Sequence, residues 1–301
     1  MKKWIAILLA LVLCLGLLTA CGSKAEEPAA EEPAAEEPAA EEPAAEESAA
    51  EEPAAEAPAE SGETTTFTVG FDAEYAPYGY MGEDGEYTGF DLEMAEAVCE
   101  IYGWELVKKP INWDSKDMEL NSGTIDCIWN GFTVTGREND YTWTDPYVDN
   151  SIVWVVKSDS GIETEADLAG KNVVTQSGSS AYTALTAEED NDENLALAAT
   201  FADLQSVADY NTAFANLDSG LVDAIAVDIG IAQYQLNSRN DDSLKMLDEP
   251  LSTEQYAIGF KLGNTELRDK VQEALNQLVE NGTFMELAEK YELADMVCLG
   301  K

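Results

Sequence analysis

Leu120 to Arg137, LNSGTIDCIWNGFTVTGR, is the stretch that decides the fold. Asn121-Ser122-Gly123 is turn chemistry, because glycine tolerates positive φ while asparagine and serine hydrogen-bond their own backbone. A helix ends there. Ile125 to Trp129 is then a short apolar run of the kind a mostly buried parallel strand shows. In open α/β sheets the ligand site lies just past the carboxyl ends of such strands, and Asn130, Gly131, Thr133 and Arg137 fall there. Glycine admits a ligand close to the backbone, threonine offers a hydroxyl, and arginine offers a planar fork for a carboxylate.

The phrase recurs. Leu217 to Ile225 matches Leu120 to Ile128 at seven of nine positions when Asn/Asp and Ile/Val count as equivalent. This second copy delivers Asp228 to the corresponding strand end. One copy alone is a common helix-to-strand turn. Two copies, one followed by a cation and the other by an anion, imply two similar α/β lobes facing a zwitterionic ligand.

Not all of the 301 residues belong to those lobes. Lys2 and Lys3 precede an apolar run from Trp4 to Leu18, too short to span a membrane comfortably and suited to a signal peptide. The run ends Leu18-Thr19-Ala20-Cys21-Gly22, which resembles the lipobox of bacterial lipoproteins. That resemblance implies that Cys21 is lipidated and becomes the first residue. Cys14 follows Leu13 rather than a small residue and is the poorer candidate. The alternative is an ordinary cleaved signal with an incidental cysteine. From Gly22 to about Thr64, Glu-Glu-Pro-Ala-Ala repeats take over. A proline every five residues removes donors and clashes with the preceding turn, so an extended, self-repelling tether is expected. At ~3.1 Å per residue, a polyproline-like tether of roughly 40 residues reaches on the order of 120 Å.

Sixty acidic residues stand against 16 basic ones. Fourteen acidic and three basic residues precede Ser61, so the remainder holds 46 and 13 and carries a net charge near −33. Such a balance argues against nucleic acid and against anionic partner surfaces, and most of it reads as solvated surface. The chain has no histidine, which excludes His-dependent triads and most zinc sites. Cys99, Cys127 and Cys298 do not make a disulfide framework. Cys99 and Cys127 read as core thiols, with a bridge between them left open.

Taken in order, Thr66 to Phe71 alternates as a first strand, and Asp72 to Tyr78 is an aromatic- and proline-bearing loop at its carboxyl end. Gly82 to Gly85 reads as a hairpin turn. Phe90 to Tyr102 is an amphipathic helix presenting Phe90, Met94, Val98 and Ile101, ended by Gly103. Trp104 to Val107 reads as a strand and Asp114 to Leu120 as a helix. Beyond Trp154-Val155-Val156 the chain is expected to cross into a second lobe. There Asn172 to Thr175 and Leu221 to Val227 are strands, while Ser180 to Leu185 and Asp209 to Leu217 are helices. Tyr256 to Phe260 is the return strand, and helices carrying Leu267, Val271, Leu275 and Leu278, then Phe284 to Tyr291, close the first lobe.

A set of short motifs runs through this whole region: Tyr75-Ala76-Pro77-Tyr78, Gly89-Phe90-Asp91-Leu92, Ser122-Gly123-Thr124-Ile125-Asp126, Thr133-Val134-Thr135-Gly136-Arg137, Trp143-Thr144-Asp145-Pro146-Tyr147, Gln176-Ser177-Gly178-Ser179-Ser180, and Asn281-Gly282-Thr283-Phe284 with Ala288-Glu289-Lys290-Tyr291. Through them Thr66 to Tyr291 resembles the polar amino-acid family of solute-binding proteins of ABC importers. The resemblance implies that Arg137 grips a ligand α-carboxylate, with Asn130, Gly131 and Thr133 as its neighbours. Ser179 and Ser180 match second-lobe donors to the same carboxylate, and a helix amino terminus suits an anion there independently of the family. Asp228 matches the acceptor for the α-ammonium, and Asp72, Tyr75 and Trp113 match positions lining the side-chain end. One departure stands out: the loop from Thr133 to Arg137 is a residue shorter than the family's usual Thr-x-Thr-x-x-Arg.

The fold class expected is therefore α/β, a two-lobed, type II periplasmic-binding-protein-like fold. Each lobe is a mostly parallel sheet flanked by helices, and two strands form the hinge. The expected boundaries are a signal peptide at 1–20, the lipidated Cys21 and tether at 21–64, one lobe at 65–155 with 256–301, and the other at 156–255. The implied function is a monomeric, lipid-anchored extracytoplasmic receptor that binds a free polar or charged L-amino acid (glutamine, cystine or a basic one). It delivers that amino acid to an ABC transporter permease by hinge closure, with no cofactor and no nucleic acid. The rivals are a dehydratase-type enzyme on the same fold, which needs a placed general acid or base, and a ligand-sensing domain. Blander readings stand beside the site residues. Arg137 pairs with Glu138 or Asp140 at the surface; Asp228 caps a helix beginning near Ile229; Trp113 and Trp129 are core; Asp126 and Asp223 serve the fold.

Overall fold

The computed structural model describes residues 65–187, 192–239 and 241–301. The signal peptide, Cys21 and the tether lie outside the described residues. The described residues fall in one compact unit.

Two sheets share one plan. In the first, β1 (Thr66–Phe71) lies between β5 (Glu105–Pro110) and β6 (Cys127–Ile128), parallel to both. A small antiparallel sheet, β2 (Glu74–Tyr75), β3 (Gly79–Met81) and β4 (Tyr87–Thr88), and the helix α1 (Phe90–Tyr102) connect β1 to β5. Helix α2 (Lys116–Ser122) connects β5 to β6. In the second sheet β9 (Asn172–Gln176) lies between β10 (Asp203–Val207) and β11 (Ala224–Asp228), again parallel to both. Helices α3 (Ser180–Thr186) and α4 (Asp192–Ala198) precede β10, and α5 (Tyr210–Ser219) precedes β11.

The repeated phrase explains the shared plan. Helices α2 and α5 both end on a glycine in the left-handed region, Gly123 at φ 78° and Gly220 at φ 75°, where a Cβ is penalised. The aspartates that follow, Asp126 and Asp223, do the same work in both copies. Each Oδ2 accepts from a backbone N–H of the neighbouring strand, Thr68 at 2.7 Å and Asn172 at 2.8 Å. Each backbone N–H donates at 2.8 Å to the carbonyl of that same residue. They are fold residues, as read.

Parallel pairing is confined to those three strands in each sheet. Strand β14 (Gly259–Phe260) runs antiparallel between β6 and β7 (Thr142–Trp143). Strand β8 (Val148–Lys157) is antiparallel to β11 and to β12 (Leu244–Met246), and its first half pairs with β13 (Ser252–Tyr256). The chain that passes between the sheets along β8 returns along β13 in the opposite sense. Helix α6 (Ile229–Ser238) follows β11, while α7 (Thr265–Asn281) and α8 (Thr283–Lys290) pack on α1. The α1 face buries Phe90, Leu92, Met94, Ala95, Val98 and Cys99, but Ile101 is 36% exposed and lies off that face. Burying each large apolar side chain contributes roughly 1.5–3 kcal/mol. Cys99, Cys127 and Cys298 are free thiols.

Candidate functional site

A narrow pocket lies past the strand ends, between the two sheets. Tyr75, Trp113, Gly131, Phe132, Thr133 and Arg137 line it from one side, and Gln176, Ser179, Ser180 and Asp228 from the other. Eight of the ten residues expected from sequence thus meet in one place. Asp72 and Asn130 stand behind the lining rather than in it.

Those two residues hold strand ends. Asn130 Oδ1 accepts from the Asp72 backbone N–H at 2.8 Å, tying the loop after β6 to the end of β1. Asp72 is buried, which raises its carboxyl above the ordinary value. Its Oδ1 accepts from the Glu74 backbone N–H at 2.9 Å and its Oδ2 from Gln176 Nε2 at 2.5 Å. The second bond crosses between the lobes. So do Ser177 Oγ to Asp114 Oδ1 at 2.9 Å, Lys116 Nζ to the Gly178 carbonyl at 3.3 Å, and Asn237 Nδ2 to Glu292 Oε2 at 2.9 Å.

Gly131 forms the floor. At φ 57° it leaves no room for a side chain: a Cβ would stand 2.9 Å from ring atoms of both Tyr75 and Tyr256. Its N–H donates to Asp91 Oδ2 at 2.6 Å, and the Tyr147 hydroxyl donates to the same oxygen at 2.8 Å. Asp91 is fully buried on α1, and that burial pushes its carboxyl up to about 7. In the sequence Asp91 stands out only within Gly89-Phe90-Asp91-Leu92. An acid on an otherwise apolar helix face was the signal available.

The shortened loop still brings Arg137 to the pocket. The Arg137 backbone N–H donates to the Val134 carbonyl at 2.8 Å, closing a turn through Gly136. The guanidinium then folds back over the Phe132 ring, 5.4 Å from its centroid. Glu138 turns instead to the Gly136 N–H at 3.0 Å. Among the described residues Arg137 makes no ion pair, so the surface pairing with Glu138 or Asp140 is absent. Trp113 meets Phe132 edge to face at 5.6 Å, with Lys116 Nζ 5.2 Å from its own ring centroid. Trp129 is fully buried in the core and off the lining.

Across the pocket, Asp228 ends β11 immediately before α6, yet its side chain makes no cap. Its Oδ1 accepts from Asn150 Nδ2 at 2.8 Å and from the Tyr256 hydroxyl at 2.5 Å. Burial raises this carboxyl too. Ser179 caps α3, its Oγ accepting from the Tyr182 N–H at 3.1 Å and donating to the Gln176 carbonyl at 2.7 Å.

Glu254 was missed. It lies on β13, and its Oε1 accepts from Thr133 Oγ1 at 2.7 Å, Asn150 Nδ2 at 2.8 Å and Ser180 Oγ at 3.1 Å. Burial, then the nearby Asp228 charge, pushes Glu254 up to about 7. Nothing in Ser252 to Gln255 marks it, because only the return crossing carries it to the pocket. Gln176 and Phe132 were also missed as lining, although Gln176 opens a motif that sequence reading quoted.

Residues 67–294 match the bacterial extracellular solute-binding proteins, family 3. The chain is 30% identical over 237 residues to the L-cystine-binding protein TcyJ of Escherichia coli (strain K12), spanning 78% of this chain and 85% of that one. It is 26% identical over 295 residues to the arginine-binding extracellular protein ArtP of Bacillus subtilis (strain 168), spanning 97% and 98%. A substrate-binding protein of an ABC uptake transporter from Streptococcus pneumoniae, solved with bound histidine, aligns with a TM-score of 0.70 at 34% identity, over 75% of this chain and 92% of that one.

Proposed function

The chain belongs to the bacterial extracellular solute-binding proteins, family 3, and on that premise we propose that it is an extracytoplasmic receptor for a free polar or charged L-amino acid. It passes glutamine, cystine or a basic amino acid to an ABC transporter permease by hinge closure, acting as a monomer and without catalysis. The observation that carries this reading is Arg137 and Asp228 lining one pocket from opposite lobes. A cation and an anion so placed match the two ends of an α-amino acid, and only a ligand touching both lobes favours closure. The cystine- and arginine-binding relatives and the histidine-bound structure support the ligand class. In this reading residues 65–155 with 256–301 form one lobe and 156–255 the other. Cys21 carries a lipid after removal of 1–20, and 21–64 tethers the receptor to the membrane. Cys21→Ser is expected to release the protein into the medium, and retention on the cells would refute the anchor.

The test of the ligand class is thermal unfolding of the full-length protein, first unfolded and refolded to strip bound ligand, against each common amino acid and cystine. A ligand at a hundred times its Kd adds ~2.7 kcal/mol, a shift of several degrees. A shift with one or a few amino acids, lost in Arg137→Ala and Asp228→Ala, is expected. No shift with any of them would sink the assignment. One observation favours a second reading: Glu254, with a carboxyl raised to about 7 beside the pocket, can exchange a proton as a general acid or base, and an ancestral amino-acid-binding protein, a precursor of cyclohexadienyl dehydratase, shares the fold at a TM-score of 0.67 and 26% identity. Product formed from a cyclic amino-acid precursor, and abolished in Glu254→Gln, would establish that reading instead.

A further inference from the structure

The side-chain donors that bond Asp228 and Glu254 are spent on those two carboxylates. A hydroxyl carries one proton, and an ionised carboxylate only accepts. Thr133 and Ser180, which line the pocket from opposite lobes, both donate that single proton to Glu254 Oε1. Asn150 Nδ2 divides its two hydrogens between Asp228 Oδ1 and Glu254 Oε1, at 2.8 Å each. Tyr256 gives its proton to Asp228. What this corner presents to a ligand is the Asp228 carboxylate and the lone pairs of two hydroxyl oxygens. Two buried carboxylates share one amide nitrogen, and among the described residues neither makes an ion pair. Such a corner lacks a cation with several N–H groups.

We propose that Glu254 is a positioning residue for ligand recognition: by holding the hydroxyl protons of Thr133 and Ser180, it turns their oxygens into acceptors that, with Asp228, select an ammonium group. The inference rests on the amino-acid reading and deepens it. It also moves the Ser180 hydroxyl from the carboxylate end of the ligand, where the family resemblance puts it, to the ammonium end. Glu254 does this from behind the lining, through two side chains that it orients.

The experiment uses the full-length protein, refolded free of ligand, and calorimetric titration at pH 8, where Glu254 is ionised, with four pairs: L-arginine and 5-guanidinopentanoate, L-histidine and 3-(imidazol-4-yl)propanoate, L-glutamine and 4-carbamoylbutanoate, L-cystine and 3,3′-dithiodipropanoate. Each second member lacks only the α-amino group, or both of them in the cystine analogue. Wild type is expected to prefer the amino acid. In Glu254→Gln the side-chain amide donates to one hydroxyl and frees its proton, so the preference should fall about tenfold, the worth of one charge-assisted hydrogen bond. Ser180→Ala removes one acceptor, leaves Glu254 unsubstituted with its bonds from Thr133 and Asn150, and should lower the same ratio, which keeps the test decisive if Glu254→Gln fails to fold. A hydroxyl serving the ligand carboxylate would weaken both members of a pair equally. An unchanged ratio in the variants therefore overturns the inference, as does a wild type that binds both members alike while the amino-acid reading stands. Failure of all four amino acids to bind wild type overturns both.

Discussion

Asp91 touches no ligand-facing surface, yet it holds Gly131 in place through a single oxygen. That arrangement has a pH signature. The folded carboxyl sits at about 7 against an ordinary 3.8, so between those values the native chain keeps a proton that the unfolded chain has released. Its stabilising contribution is full below about pH 4 and is lost as pH rises through about 7. Glu254, raised from 4.5 to about 7, has the same sign. The melting temperature is therefore expected to be several degrees higher at pH 5.5 than at pH 8. Asp91→Asn should narrow that gap without closing it, as thermal unfolding at the two pH values will show. At the same scale, Asp228→Asn keeps the shape of the ammonium site and removes its charge. Calorimetry with whichever amino acid binds should show affinity about 10- to 100-fold weaker, the range for one hydrogen bond to a charged group.

Helices α2 and α5 end alike, so their caps should cost alike. Gly123→Ala and Gly220→Ala force a Cβ into the left-handed region, and each is expected to lower stability by about 1 kcal/mol in urea unfolding. The sites lie in different lobes, so the double variant should show the sum; a marked shortfall would mean the two turns are coupled. Elements with strong local chemistry were legible: β1 and α1 begin and end where sequence reading placed them, and the repeated turn gave both sheets their third strand. The short strands β2, β7 and β12 were not, because two or three residues carry no period. Strand β8 shows in the sequence only as a crossing after Trp154 to Val156, since Asp149, Asn150 and Ser151 break the apolar run where it pairs with β13. Tyr256 to Phe260, read as one strand, is the end of β13 and all of β14, because the chain changes sheets at Ala257 and Ile258. The site divides the same way. Residues in strand-end loops were readable, but Glu254 reaches the pocket only by pairing far along the chain, which local pattern does not encode.

At the scale of the molecule, the polar bonds that span the lobes, Asp72 with Gln176, Asp114 with Ser177 and Glu292 with Asn237, describe a closed cleft. X-ray scattering is expected to give a larger radius of gyration for stripped protein than for protein saturated with its amino acid, and a radius indifferent to ligand would refute hinge closure. The crossing itself is narrow: Val148 faces Tyr256 and Ile152 faces Ser252 across one antiparallel ribbon. In genealogical terms, the proposed second lobe, residues 156–255, would be a cassette that leaves and rejoins its host at one place, the arrangement in which insertions are best tolerated. Exchange of that cassette between relatives would carry Gln176, Ser179, Ser180 and Asp228 as one heritable block and leave Thr133, Arg137 and Trp113 with the host. Specificity in such a chain can be inherited by halves.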